Sequence, residues 1–169
     1  MMIEATKLIK LPVAALDTQE KIGEIQEILV DPKNGGVLGF LVKTNGLFGA
    51  QKALAAVEVS EWDPNGLVTE SAGNLVEPEE IIRIKEVLKK NILLLGMSAE
   101  TENKKGLGRV ENFLIDTDTD MIIKYYLRDL LGKSRIMSAD KVISIDKVIV
   151  FADDETETLN RSVTEPQIA

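Results

Sequence analysis

The sequence predicts a mainly β protein made of two small bent β-barrels in tandem, joined by one amphipathic α-helix. The first observation is an internal repeat: the stretch 22–31 recurs at 107–116, with its glycine and its aspartate each displaced by 85 residues. The second is a break in the apolar alternation at the same place in both copies. The third is a single helical pattern between the copies. Such self-similarity indicates one structural unit that occurs twice.

The repeat divides the chain into four segments. Units of roughly 70 residues bury only about 60% of their unfolded surface, so we expect the two units to pack together. The predicted boundaries are a first barrel at 1–72, a linker at 73–91 with a helix at 78–90, a second barrel at 92–152 and an acidic, disordered tail at 153–169.

Each unit opens with a short apolar strand, predicted at 8–13 and again at 93–98. The repeated strand follows after a polar loop. Within it Ile25 and Ile28 are three residues apart, whereas Ile28 and Val30 are two apart. A strand can bury one face with this spacing only if it contains a β-bulge, which we place near 26–27 and near 111–112.

Hairpins and one helix complete the pattern. Asn34-Gly35 can supply the positive φ of a tight turn, and further strands are predicted at 37–42, 57–62, 67–69, 122–127, 142–145 and 148–151. The helix 78–90 begins with Pro78 and two glutamates and ends with two lysines, as the helix dipole favours. Its apolar stripe would pack against one or both barrels.

The two copies together resemble tandem PRC-barrel domains, on the residues 8–13, 22–42 and 57–68 and again on 93–98, 107–127 and 142–150. The resemblance implies a small, strongly bent barrel and a role in protein–protein contact rather than in a reaction. The family includes the cytoplasmic part of the photosynthetic reaction centre H subunit and the C-terminal half of the ribosome-maturation factor RimM. This sequence lacks the membrane helix of the first and the RNA-side domain of the second, so we expect neither role to transfer.

Composition excludes several classes of function. The net charge is −8 without a basic stripe, which disfavours direct nucleic-acid binding. The chain has no cysteine and no histidine, which removes thiolate nucleophiles, imidazole bases and the usual zinc ligands. No apolar run is long enough to span a bilayer. We therefore expect a cytoplasmic protein without catalytic residues, cofactor, metal or membrane insertion.

The candidate partner contacts are apolar residues in glycine-flanked loops, together with one tyrosine: Leu47, Phe48, Leu130, Leu131 and Tyr126. We expect the leucines and the phenylalanine to close the ends of the barrels, the alternative being an exposed contact patch. Tyr125 and Tyr126 are adjacent on a strand, so one should face in and the other out. Trp62 is expected in the core.

Two charged motifs have simple interpretations. Asp116, Asp118 and Asp120 resemble the start of a calcium loop, but Met121 and Leu127 stand where that loop needs glycine and glutamate. A solvated hairpin turn is favoured, and weak cation binding is the alternative. Lys89-Lys90 is expected to be a solvated pair.

The function predicted from these observations is a non-catalytic adaptor or scaffold that binds a protein partner. The duplicated unit suggests a monomer with a pseudo-twofold pair of barrels, or a homodimer. The alternatives are a ribosome-assembly-associated factor that binds a basic ribosomal protein, and a small-ligand-binding protein that uses a cleft between the barrels.

Overall fold

The computed structural model describes residues 1–156, which form a mainly β structure with two sheets. Residues 157–169 of the predicted tail lie outside the described part of the chain. The strands and helices are β1 (Met2–Glu4), α1 (Ala5–Leu8), β2 (Pro12–Ala15), β3 (Glu20–Val30), β4 (Val37–Thr44), β5 (Gln51–Ala55), β6 (Val59–Asp63), β7 (Gly66–Thr69), α2 (Ile82–Lys89), β8 (Ser98–Thr101), β9 (Gly106–Asp116), β10 (Met121–Arg128), β11 (Ser134–Ser138), β12 (Val142–Ile145) and β13 (Val148–Phe151).

The two sheets have the same strand order. The first runs β5-β4-β3-β2-β7-β6, and the second runs β11-β10-β9-β8-β13-β12 with β1 added beside β9. All pairs are antiparallel except β2 with β7 and β8 with β13, which are parallel. The internal repeat of the sequence is therefore also a repeat of topology.

The predicted bulges are confirmed. Gln26 is skipped in the pairing of β3 with β4, and Glu111, 85 residues later, is skipped in the pairing of β9 with β10. The other register shifts also recur at equivalent places, namely Ile22 and Leu107, Leu38 and Ile123, and Ser60 and Ile143. Each bulge leaves one residue unpaired and bends its strand.

The predicted strands at 8–13 and 93–98 are wrong, because the strands begin only at Pro12 and Ser98. A residue with positive φ precedes each of them, Lys10 at 72° and Gly96 at 86°. Its N–H donates to the neighbouring strand, at 2.7 Å from Lys10 to the carbonyl of Ile25 and at 2.8 Å in the equivalent bond from Gly96. The apolar run is thus buried by a turn rather than by strand pairing.

The helix predicted at 78–90 starts later than expected. Pro78–Glu80 forms a separate 3₁₀ turn, Ile81 is extended with φ −107°, and α2 begins at Ile82. The cause is a local hydrogen bond, because the Glu80 carboxylate accepts from the N–H of Glu77 at 2.9 Å and closes the turn before Ile81.

The segment that leads into each sheet packs on the other sheet. At the start of the chain β1 pairs with β9, with Ile3 opposite Ile115, and α1 also packs against β9. In the segment that connects the two sheets, α2 packs against β3 and β4 and buries Ile84 beside Leu29 and Leu41. We call this arrangement the reciprocal exchange of leading segments.

The sheets also meet directly at their hairpin turns. Gly36 and Met121 form an antiparallel bridge, flanked by hydrogen bonds from Val37 N to Asp120 O at 2.7 Å and from Ile122 N to Gly35 O at 3.2 Å. Adding 85 to the first-sheet residue of either bond gives the second-sheet residue of the other. A single hydrophobic cluster contains core residues of both sheets, so the predicted packing of the two units is observed.

Aromatic side chains fill the interior of both sheets. Phe40 packs edge-on against Trp62 with ring centroids 5.3 Å apart. Tyr125, which is equivalent to Phe40, lies 5.7 Å from Phe151 and 6.4 Å from Phe113. Trp62 was expected in the core, and it is partly buried with its ring against that core. No helix in residues 1–156 has the length and apolarity needed to cross a membrane.

Candidate functional site

Two hairpins end in pairs of exposed apolar side chains. The first tip, Leu47-Phe48, lies between β4 and β5, and both its residues are 94% exposed. The second tip, Leu130-Leu131, lies between β10 and β11 and is 103% and 95% exposed. The expectation that these residues close the barrel ends is wrong, because strand residues already fill the interior and the hairpin turns hold the tips outside it.

The first tip is held by bonds within its own loop. The N–H and the hydroxyl of Thr44 both donate to the carbonyl of Ala50, at 2.9 and 3.0 Å. Gly46 has φ +113°, a conformation that favours glycine. A Cβ on Gly49 would lie 2.1 Å from Thr44 O, so the loop can close only with glycine there. The backbone is thereby fixed while both tip side chains face solvent.

The second tip reaches the same result with different chemistry. One carboxylate oxygen of Asp129 accepts from the N–H groups of Leu131 and Lys133, both at 2.9 Å. The carbonyl of Asp129 accepts from Gly132 N at 3.0 Å, and Gly132 has φ +81°. This side-chain turn replaces the longer glycine loop of the first tip.

Tyr126 lies on the hairpin that carries the second tip. It is partly exposed on β10, opposite Asn112 of β9 and Ile136 of β11. Its neighbour Tyr125 faces inward and is 1% exposed, and burial raises the pKa of the Tyr125 hydroxyl. The predicted division into one inward and one outward tyrosine is therefore observed.

The two tips lie at the ends of strands that diverge from the bridge between the sheets. The bridge between Gly36 and Met121 is antiparallel, so β4 and β10 leave it in opposite directions. Each strand has eight residues, which carry its tip about 25 Å from the bridge. Fully straight strands would set an upper limit of about 50 Å on the separation of the two tips.

Of the three aspartates of the second hairpin turn, Asp116 holds the turn itself and Asp118 pairs with the N-terminal ammonium of Met1 at 3.3 Å. Asp116 Oδ1 accepts from Asp118 N at 3.0 Å, as Asp31 Oδ1 accepts from Lys33 N at 2.9 Å in the first hairpin. Burial, and secondarily the charge of Asp116, raises the pKa of Asp120. Within residues 1–156 no cluster of three or more carboxylates is arranged to hold a metal ion.

The clefts between the sheets bring together residues that sequence reasoning did not connect. One cleft, of about 600 Å³, is lined by Lys33, Lys89, Lys90 and Lys147. Lys89-Lys90 was interpreted from sequence as a solvated pair, and both are exposed. No local pattern could have signalled this group, because Lys33 and Lys147 lie in different repeats.

Comparison with known families identifies one region of the chain. Residues 1–66 match the family model of the PRC-barrel domain, a range that includes β1 to β6 and the first tip. No curated protein matches the chain.

Proposed function

Because residues 1–66 form a PRC-barrel domain, we propose that this protein is a non-catalytic cytoplasmic adaptor whose two hairpin tips bind protein partners. The observation that carries the proposal is the near-complete exposure of four large apolar side chains, Leu47, Phe48, Leu130 and Leu131. Side chains this exposed contribute little to the stability of the free protein. When a partner covers them, the loss of apolar surface from water stabilises the complex.

The free energy available from burying the tip side chains is sufficient for specific recognition. Burying one side chain such as Phe48 or Leu131 contributes about 1.5–3 kcal/mol. The loops beneath the tips are already fixed by their own hydrogen bonds, so little additional ordering is needed when a partner binds. A few anchors of this kind can supply most of the affinity of an interface.

The charged groups give no support to a catalytic role. Without histidine or cysteine, catalysis would depend on carboxylates or lysines. Burial raises the pKa of Glu27, and burial with the charge of Asp116 raises that of Asp120. Neither carboxylate lines the clefts between the sheets, where a substrate would bind.

We further propose that residues 92–152 form a second PRC-type barrel and that 1–72 form the first, with 73–91 as the linker. The shared strand order, the recurring bulges and the symmetric bonds at Gly36 and Met121 support this division. The bridge pairs Gly36 with its own equivalent, Met121, and a twofold rotation would exchange the two flanking hydrogen bonds, as in a twofold interface. One chain would then contain what a homodimer of single barrels would otherwise form.

The spacing of the tips bears on how partners bind. Tips separated by up to about 50 Å would bind two small partners or two sites of one extended partner. In the second case linked binding raises the overall affinity well above that of either tip.

The test is affinity capture from native lysate, with and without nuclease, followed by mass spectrometry. The wild type is compared with Leu47→Ser/Phe48→Ser, with Leu130→Ser/Leu131→Ser and with the combination of all four. The matched control is Val57→Ser/Ile82→Ser, which alters two other exposed apolar side chains, 87% and 72% accessible.

We expect nuclease-resistant partners that are reduced in each tip variant, absent in the combined variant and retained in the control. Because all the altered residues are exposed, the unfolding midpoint of each variant should stay close to that of the wild type, as is usual for surface substitutions. The adaptor proposal is overturned if the combined variant captures the same proteins as the wild type. Partners that are lost after nuclease treatment would contradict direct protein contact.

A further inference from the structure

The cleft of about 600 Å³ beside the hairpin turn of the first sheet combines positive charge with an apolar floor. Lys33 comes from that turn, Lys89 and Lys90 come from the end of α2, and Lys147 comes from the turn between β12 and β13. Three separate parts of the chain therefore place lysines around one opening.

These four lysines lack the acidic partners that six other lysines of the protein have. None of them forms an ion pair with a carboxylate in the described range 1–156. Six other lysines do, namely Lys7, Lys21, Lys52, Lys104, Lys105 and Lys141. Four unpaired lysines around one cleft make it locally positive in a chain with 28 acidic and 20 basic residues.

The local charge remains positive after the nearby negative groups are counted. Asp146 is the one carboxylate that lines the cleft; Asp31 and Glu86 line an adjoining cleft that shares Lys33 and Lys90, and Asp31 there pairs with Arg83. The end of α2 adds roughly half a negative elementary charge, which Lys89 and Lys90 more than offset. An anion with several charges would relieve the repulsion among the four ammonium groups, most strongly at low ionic strength.

The side chains indicate the class of anion. All four lysines are exposed and flexible, so they act as mobile point charges, which suit a chain of phosphates better than a planar carboxylate. The buried Ile92 and Ile145 form part of the floor and offer contact to an uncharged group. The volume fits a small molecule.

We propose that this cleft binds a small polyphosphate anion, held by Lys33, Lys89, Lys90 and Lys147. This site is independent of the hairpin tips and of any partner that binds them. The polyphosphate could be inorganic or could be the phosphate chain of a nucleotide. A nucleotide would gain additional contact with the apolar floor.

Isothermal titration calorimetry with inorganic tripolyphosphate and, separately, with ATP at low and at physiological salt tests the proposal. The variants are Lys33→Ala/Lys147→Ala and, as a control with the same change in net charge, Lys7→Ala/Lys104→Ala. Both control lysines are ion-paired away from the cleft. A third variant, Asp146→Asn, removes the opposing carboxylate.

We expect saturable 1:1 binding that Lys33→Ala/Lys147→Ala weakens at least tenfold, the control changes less than twofold and Asp146→Asn strengthens about two- to threefold. Tighter binding of ATP than of tripolyphosphate would identify the nucleotide, and the reverse order would identify the inorganic chain. The proposal is overturned if neither anion binds at low salt, or if the control loses as much affinity as the cleft variant.

Discussion

The two sheets share a backbone plan but fill their interiors differently. Phe40 and Tyr125 occupy equivalent positions, yet the ring that packs on Phe40 comes from β6, as Trp62. The rings that pack on Tyr125 come from β9 and β13, as Phe113 and Phe151. Strand order and bulges are thus retained while the aromatic volume moves between strands, as expected if cores tolerate redistribution at constant total volume.

The turns lead to the same conclusion about the backbone. Gly35 has φ 74°, and its equivalent Asp120 has φ 54°. Gln19 and Lys104, also equivalent, have φ 56° and 66°. Because non-glycine residues adopt these conformations at some cost, the sheet around them must hold them in place. The conformation repeats even where the residue type does not.

The largest expected effect tests whether the two interiors act as one. Replacing Phe151 by alanine empties a fully buried site of the second sheet and should lower the free energy of unfolding by about 3–5 kcal/mol. Since the core cluster spans both sheets, the fluorescence of Trp62 in the first sheet should report the same shifted midpoint as circular dichroism.

Val57→Ala, at an exposed position, is the control and should leave both midpoints unchanged. If the Trp62 signal in Phe151→Ala kept the wild-type midpoint while circular dichroism showed a second transition, the sheets would be independent and the common core would be disproved.

A smaller effect should distinguish two equivalent glycines. A Cβ on Gly108 would lie 2.3 Å from Arg128 O, and the residue has φ +96°. A Cβ on Gly23 would lie 2.5 Å from a methyl of Val42 and 2.6 Å from Lys43 O, without a positive φ. We expect Gly108→Ala to cost about 3 kcal/mol and Gly23→Ala about 2 kcal/mol in urea unfolding.

Gly106→Ala is the matched control, because nothing lies near its added Cβ, and it should stay within about 0.5 kcal/mol of wild type. An equal loss in Gly23→Ala and Gly108→Ala would show that close approach alone, and not backbone conformation, sets the cost.

The smallest expected effect concerns Glu27, whose equivalent in the second sheet is the neutral Asn112. Burial raises the pKa of Glu27 above its ordinary 4.5, so its charge opposes folding once the pH rises through the folded pKa. Glu27→Gln should therefore stabilise the protein at neutral pH by about a few tenths of a kcal/mol, since solvent screens a partly exposed group. The gain should vanish as the pH falls below about 4.5.

Glu24→Gln provides a control of opposite sign. The hydrogen bond and charge of Lys21 lower the pKa of Glu24, so its contribution is present above the ordinary pKa and is lost as the pH falls. Glu24→Gln should slightly destabilise at neutral pH. A gain in stability from both variants would mean that net charge, rather than local environment, governs the change.

Much of the fold follows from the sequence because the alternation of apolar and polar residues along a strand depends only on neighbouring residues. The spacing of Ile25, Ile28 and Val30 was enough to place the bulges, and the turn residues placed the hairpins. The weakly apolar strands β5 and β11 were not predicted, since little in 51–55 or 134–138 alternates. The predictions of strands at 8–13 and 93–98 were wrong because a short apolar run is equally compatible with a buried turn.

The candidate site was less accessible to sequence reasoning. The five candidate contact residues were chosen by residue type, but their exposure depends on whether other strands already fill the core, which no local pattern reveals. The lysine cleft and the reciprocal exchange join residues more than a hundred positions apart in some cases, such as Ile3 and Ile115. Contacts between residues so far apart produce no periodic pattern in the sequence.

The reciprocal exchange of leading segments has a consequence for how the chain is made and divided. During synthesis β1 must wait for β9, so the first residues leave the ribosome long before their pairing strand exists. Cutting the connection after β7 would give two fragments, each of which carries the segment that packs on the other. The first would carry β1 and α1, and the second would carry α2. Neither fragment would be complete alone, since one would expose the β9 edge and the other the face that α2 buries. We therefore expect the two fragments to be complementary and to reassemble when they are mixed.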